Sequence, residues 1–308
     1  MISIIYRFAF VTAVILFATV CHADYMRVTL LGTGSPRPSV ERSGPAVLVE
    51  VGGKYLLFDT GRGVVQRLQQ LDIRISDIQH VFLTHLHSDH ISALDDVWLT
   101  GWIYQRAMPL NIYGSIGTKS YVEHMQQAYS YDVKLRNQHS GLDLNAGLIS
   151  TSEIKPGVIF SEDGIKVTAF LVNHKPVDPA YGYRIDFGER SVVISGDTTF
   201  SQNLVDHSTD IDLLIHEIMF VKDNILKKNP RLQNIQRYHT NPQQLIEVLN
   251  EVKPRAAVLT HIILVGATEE QILQQVNDGY AGEVYMGEDL MSFEVGTSIK
   301  VIPYPKSQ

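Results

Sequence analysis

The feature that most constrains this chain is the octet Leu83-Thr84-His85-Leu86-His87-Ser88-Asp89-His90, entered through the apolar run His80-Val81-Phe82-Leu83. On an extended segment alternate side chains point the same way, so His85 and His87 share one side. A turn then brings Asp89 and His90 alongside. Three imidazoles and a carboxylate within six residues are costly to bury without partners. Neutral imidazole and carboxylate are donors that zinc accepts, so a cation would resolve the conflict. The plain alternative is a solvated polar turn; a strand-like run leading into an H-x-H-x-D-H spacing argues against it.

Short apolar, β-branched runs recur at 27–31, 46–51, 55–58, 80–83, 110–113, 166–172, 181–187, 191–194, 211–215, 256–259, 283–286 and 290–295. They read as strands. Helical spacing covers 63–71, 92–106, 118–130, 242–251 and 269–278. Such a mixture implies an α/β domain with two sheets covered by helices. Residues 131–164 are poorly patterned and read as a long connection. With 44% hydrophobic and 19% charged residues, the chain is neither disordered, collagen-like nor a multispanning membrane protein.

Read singly, the later candidates are ambiguous. His174 ends a strand-like run, where a lone histidine is more often structural. Asp197 follows Ile194-Ser195-Gly196, and a carboxylate there could simply cap a turn. His261 follows the run 256–260. Trp98, Trp102, Tyr104 and Met108 lie on a helical stretch and read as core before substrate platform. Tyr129, Tyr131, Tyr181 and Tyr183 could line an aromatic pocket, although 14 tyrosines make packing the ordinary role.

The blocks together resemble the metallo-β-lactamase superfamily, and most of all its ribonuclease Z branch. The resemblance rests on the histidine octet, Leu30-Leu31-Gly32-Thr33-Gly34-Ser35, Leu57-Phe58-Asp59-Thr60-Gly61, Ser195-Gly196-Asp197-Thr198, Leu213-Leu214-Ile215-His216-Glu217, His239-Thr240 and Leu259-Thr260-His261. It runs from about residue 28 to 262. It implies an αββα four-layer sandwich of two mixed β-sheets flanked by helices. It further implies two Zn(2+) ions, one held by His85, His87 and His174, the other by Asp89, His90 and His261, with Asp197 shared. Water made reactive by the two cations would be the nucleophile, with Asp89 orienting its proton. His239, oriented by Glu217, would protonate the leaving oxygen. The remaining histidines, among them His80, His124, His139, His207 and His216, read as structural or surface residues.

The first 23 residues stand apart. Arg7 is their only charge, the stretch Phe8-Ala9-Phe10-Val11-Thr12-Ala13-Val14-Ile15-Leu16-Phe17-Ala18-Thr19-Val20 follows it, and Cys21-His22-Ala23 precedes Asp24. This reads as a secretory signal peptide, placing the domain at 24–308 in the periplasm or outside the cell with no lasting membrane anchor. The apolar run is short for a spanning helix, and Val20 is bulky for a lipoprotein signal at Cys21. Cleavage leaves 25 basic and 33 acidic residues, a net of −8, and removes the only cysteine. A net negative chain argues against nucleic acid as a partner unless a local basic patch intervenes. A homodimer is left open.

Ribonuclease Z enzymes carry a long basic arm between the segments matching Gly182-Tyr183-Arg184-Ile185 and Gly196-Asp197-Thr198. Here only ten residues, 186–195, separate them, enough for a tight hairpin. The expected activity is therefore hydrolysis of a small anionic ester, an aryl sulfate or a phosphodiester, as in exported arylsulfatase-type relatives. The alternatives are a β-lactamase or lactone or amide hydrolase, a ribonuclease Z-type phosphodiesterase, and a non-catalytic binding protein on the same fold.

Overall fold

The computed structural model describes residues 25–305; the leader expected at 1–23 lies outside them. The chain first lays down β1 (Met26–Gly32), β2 (Ala46–Val51), β3 (Lys54–Phe58), β4 (His80–Phe82), β5 (Leu110–Gly114) and β6 (Ile149–Glu153). Next come β7 (Gly157–Glu162), β8 (Ile165–Leu171), β9 (Tyr181–Phe187), β10 (Arg190–Ile194), β11 (Leu213–Val221), β12 (Ala256–Val265) and β13 (Val284–Met286). It returns to the first sheet for β14 (Ser292–Val295) and β15 (Ile299–Ile302). The spatial orders are β15-β14-β1-β2-β3-β4-β5-β6 and β13-β12-β11-β10-β9-β8-β7. Each sheet mixes antiparallel pairs with parallel ones, such as β3 with β4 and β10 with β11.

Period-two alternation explains the layers. Val28, Leu30, Phe58 and Phe82 of the first sheet meet Ile185, Val192, Ile215 and Val258 of the second in one buried core. The intervening residues face outward. Leu31, Leu48, Leu57 and Val81 pack under helical residues Val64, Leu68, Leu94 and Trp98. Val193, Leu214 and Ala257 pack under Leu204, Leu245, Val248, Ile272 and Val276. Strands covered on both faces read as continuous apolar runs, which is why these were legible. The result is the four-layer αββα sandwich that the sequence implied.

Residues 131–164 are not the expected connection. They form the helix Ser130–Ser140, a short 3-10 turn, β6 and β7. The two strands are the outer edges of their sheets, and the helix buries no residue. An edge strand with exposed positions has no reason to carry a continuous apolar pattern. The hairpin between β9 and β10 pairs Phe187 with Arg190, so only Gly188 and Glu189 form the turn. No arm is inserted there.

Two expectations about strand ends need correction. β11 and β12 run beyond 215 and 259 to Val221 and Val265. Their pairing slips between Glu217 opposite Thr260 and Ile218 opposite Ile262, which leaves His261 as the extra residue of a β-bulge. Its φ of 43° lies in the left-handed region. A bulge re-aims one side chain without ending the strand, so the polar interruption looked like a terminus.

Candidate metal centre

The histidine octet begins where β4 stops. The backbone N–H of Leu83 donates to the Tyr113 carbonyl (2.8 Å), and the Tyr183 hydroxyl donates to the carbonyl of Leu83 (2.6 Å). The chain is therefore held to both sheets as it enters the site. His85 and His87 follow, and a helical turn at Ser88–Ile91 then buries Asp89 and His90. His174 arrives after β8, Asp197 after β10, and His261 from the bulge in β12.

Seven expected side chains converge. His87 Nδ1 lies 3.0 Å from His85 Nε2 and 3.2 Å from His174 Nε2. Asp197 Oδ2 is 3.8 Å from both His85 Nε2 and His174 Nε2. The same oxygen is 3.3 Å from His90 Nε2 and 3.3 Å from His261 Nε2. Asp89 Oδ2 completes the second group, 3.3 Å from His261 Nε2 and 3.7 Å from His90 Nε2. Ligands about 2.0–2.1 Å from a tetrahedral zinc stand about 3.3 Å apart, the scale of these separations. Two His/Asp clusters thus meet at one carboxylate oxygen.

The electrostatics ask for a cation. Burial, reinforced by the charge of His90, pushes His85 well below its ordinary range. Burial also lowers His87 and His174, against the pull of Asp197, leaving neutral imidazoles with lone pairs to donate. His90 is raised well above its usual value because Asp197 and Asp59 outweigh its burial. Burial would raise Asp197, but His261 and His90 hold it well below the usual carboxylate range. Meanwhile His90 Nε2 and Asp197 Oδ1 are buried without a hydrogen-bond partner. Buried orphan donors and acceptors are rare unless something else binds them. The residues fit divalent metal.

Asp59 is the supporting residue that sequence reading missed. It stands at the end of β3, at φ 58°, with Oδ2 2.7 Å from His90 Nδ1. The Thr84 backbone N–H donates to its Oδ1 (2.8 Å) and the Thr84 hydroxyl to its Oδ2 (2.8 Å). This fixes the tautomer that turns His90 Nε2 toward the cluster. The carbonyl of Tyr238 does the same for His174, accepting from Nδ1 at 2.9 Å. Such orienting bonds are worth about 10–100-fold in metal affinity, so Asp59→Asn is expected to weaken zinc binding by that factor in a chelator competition. Wild-type affinity in that variant would remove Asp59 from the account.

His239 and Glu217 form the third group. Glu217 lies within β11 at the slip, and its Oε1 accepts from His239 Nδ1 (3.0 Å) and from the backbone N–H groups of Thr198 (3.1 Å) and Thr240 (3.0 Å). Burial opposes a charge on His239, but Glu217 prevails, with help from Asp197, and its pKa is pushed up to about 9. The His239 ring stacks on His261 with centroids 5.4 Å apart. Both line a pocket of about 340 Å³ together with His87, Asp89, Asp197, Tyr238 and Arg231.

The aromatic candidates fall elsewhere. Trp98 and Trp102 are core residues whose indole N–H groups donate to the carbonyls of Gly147 and Asp143 (2.8 Å each), whereas Tyr104 and Met108 are exposed. Tyr183 is buried, Tyr181 donates to the Ile154 carbonyl, Tyr129 donates to Asp95, and Tyr131 is exposed. The tyrosine at the site is Tyr238, which only its place beside His239 could have suggested.

Residues 54–262 match the family described as the beta-lactamase superfamily domain. A protein named ribonuclease Z from Mycobacterium marinum is 34% identical over 278 residues, covering 88% of this chain and 99% of its own. One of the same name from Mycobacterium avium is 35% identical, with 88% and 98% covered. The fold is shared with the metallo-β-lactamase fold protein YhfI of Bacillus subtilis (TM-score 0.68, 21% identity, 88% of this chain and 100% of that one). It is shared equally with the short form of human tRNase Z (TM-score 0.66, 24% identity, 86% and 98% covered). The chain belongs to the metallo-β-lactamase superfamily, in the branch of the ribonuclease Z proteins.

Proposed function

We propose that this chain is a metal-dependent phosphodiesterase with ribonuclease Z-type chemistry, holding two divalent ions, with zinc the proposed metal because it accepts imidazole and carboxylate donors. His85, His87 and His174 would hold one ion, and Asp89, His90 and His261 the other. The observation that carries this reading is Asp197 Oδ2, which lies within 3.8 Å of ring nitrogens from both groups. When bound, the ions would lower the pKa of water and stabilise negative charge growing on a phosphoryl oxygen.

The chain's own residues supply the rest. Asp89 keeps a carboxylate at the pocket, where it would orient the attacking water. Glu217 Oε1 accepts the hydrogen bond from His239 Nδ1–H, leaving Nε2 available to the pocket. A histidine kept protonated near neutral pH can donate to a departing alkoxide. A poor oxygen leaving group needs such an acid; a good one does not.

Relatives named ribonuclease Z support the phosphodiester half of the sequence expectation, and the reading ranked there as an alternative becomes the better one. Nothing favours aryl sulfates. The two-residue turn at Gly188-Glu189 leaves no arm for gripping a folded RNA, so a short diester is the proposed substrate. Export through residues 1–23 remains part of the proposal. The test is a panel on zinc-loaded protein: bis(p-nitrophenyl) phosphate is expected to turn over faster than p-nitrophenyl sulfate or nitrocefin. Preferential hydrolysis of either of the latter would replace this reading.

A further inference from the structure

Net charge conceals a local concentration of the opposite sign. Residues 222–237 carry Lys222, Lys227, Lys228, Arg231 and Arg237 against one acid, Asp223, in a chain of net −7. All five cations are exposed, and among the described residues none forms an ion pair. The segment lies between Glu217 and His239, and it folds as the helices Asp223–Leu226 and Pro230–Gln236. Gln233 Nε2 donates to the Leu226 carbonyl (2.9 Å) and ties the two together. Asn229 caps the second helix, its side chain accepting from the backbone N–H of Leu232 (3.2 Å). Arg231 is thereby placed on the wall of the pocket that holds Asp197 and His239. Leu232, Ile235, Tyr238 and Ile263 supply an apolar surface on the same pocket.

Unpaired guanidinium beside apolar and aromatic surface is the combination that takes a phosphate and the base next to it. An acidic peptide would use the charge but leave the apolar wall without a flat partner. We propose that Arg231 is a specificity residue that binds a second phosphate, one nucleotide from the bond being cut, and that the rest of residues 222–237 extends this contact along a short single strand. The preferred substrate is then an oligonucleotide diester carrying at least two phosphates. This rests on the phosphodiesterase reading and narrows it.

The test is binding of a fluorescently labelled five-residue oligothymidylate to the zinc-loaded full chain, followed by anisotropy across a salt series. Single-strand binding loses affinity with log[salt] at a slope of about −0.7 per phosphate contacted. Arg231→Gln is expected to weaken binding about tenfold and to reduce the slope by about 0.7, while Arg231→Lys retains the slope. A salt-independent wild type, an Arg231→Gln protein with wild-type affinity, or equal competition by polyglutamate would overturn the proposal. Hydrolysis of bis(p-nitrophenyl) phosphate by the wild type, measured on the same preparation, separates the two claims. Its absence alongside salt-dependent binding sinks the phosphodiesterase reading, whereas its presence without such binding sinks the role of Arg231.

Discussion

Asp197→Ala is expected to cost the protein its metal and its activity together. One oxygen of Asp197 stands 3.3 Å from His90 Nε2 and His261 Nε2 and 3.8 Å from His85 Nε2 and His174 Nε2. Removing it leaves the two groups of donors with no shared anion, so two cations held there would lose the charge that offsets their repulsion. Bound zinc should fall from about two per chain to one or fewer, and phosphodiester hydrolysis by at least about 10³-fold, the scale of losing a principal electrostatic stabiliser. His87→Ala should act in the same direction, since its Nδ1 joins His85 and His174. Elemental analysis and kinetics on one preparation decide this. An Asp197→Ala protein that keeps its zinc and its rate would show that the carboxylate is a turn cap and nothing more.

The second large effect belongs to His239. Its replacement by glutamine should leave the metal in place and slow substrates with poor alkoxide leaving groups by about 10²–10⁴-fold, with much smaller losses for p-nitrophenolate. Equal slowing for both would contradict the acid role. The pH dependence has a defined sign. Folding raises the pKa of His239 to about 9, from an unfolded value of about 6.5. The stability it contributes in metal-free protein is complete below about pH 6.5 and is lost as pH rises through about 9. Chelated wild type should therefore lose stability across that window relative to His239→Gln. Bound cations lower the pKa by like-charge repulsion, so the alkaline fall in kcat for poor leaving groups should begin below 9.

Residue by residue, legibility followed locality. His85, His87, Asp89 and His90 are close in sequence, and a strand followed by one turn is enough to gather them. His174, Asp197 and His261 are separated by tens of residues, and only the order of family motifs pointed to them. Asp59 was hidden because its partner, His90, is 31 residues away and nothing local shows the bond. The bulge at His261 was hidden because slippage between parallel strands is a property of the pair, β11 with β12, and of neither alone. β6 and β7 escaped because edge strands need little apolar patterning. The basic helices 222–237 escaped because charge was summed over the chain while the pocket responds to what lies beside it.

If these donors form a metal centre, turnover should appear only when metal fills it. Titrating zinc into chelated, metal-free protein while following both bound metal and bis(p-nitrophenyl) phosphate hydrolysis tests it most directly. Turnover should be negligible without zinc and should rise to a level reached at about two ions per chain. Full turnover in protein shown by elemental analysis to contain no metal would contradict this.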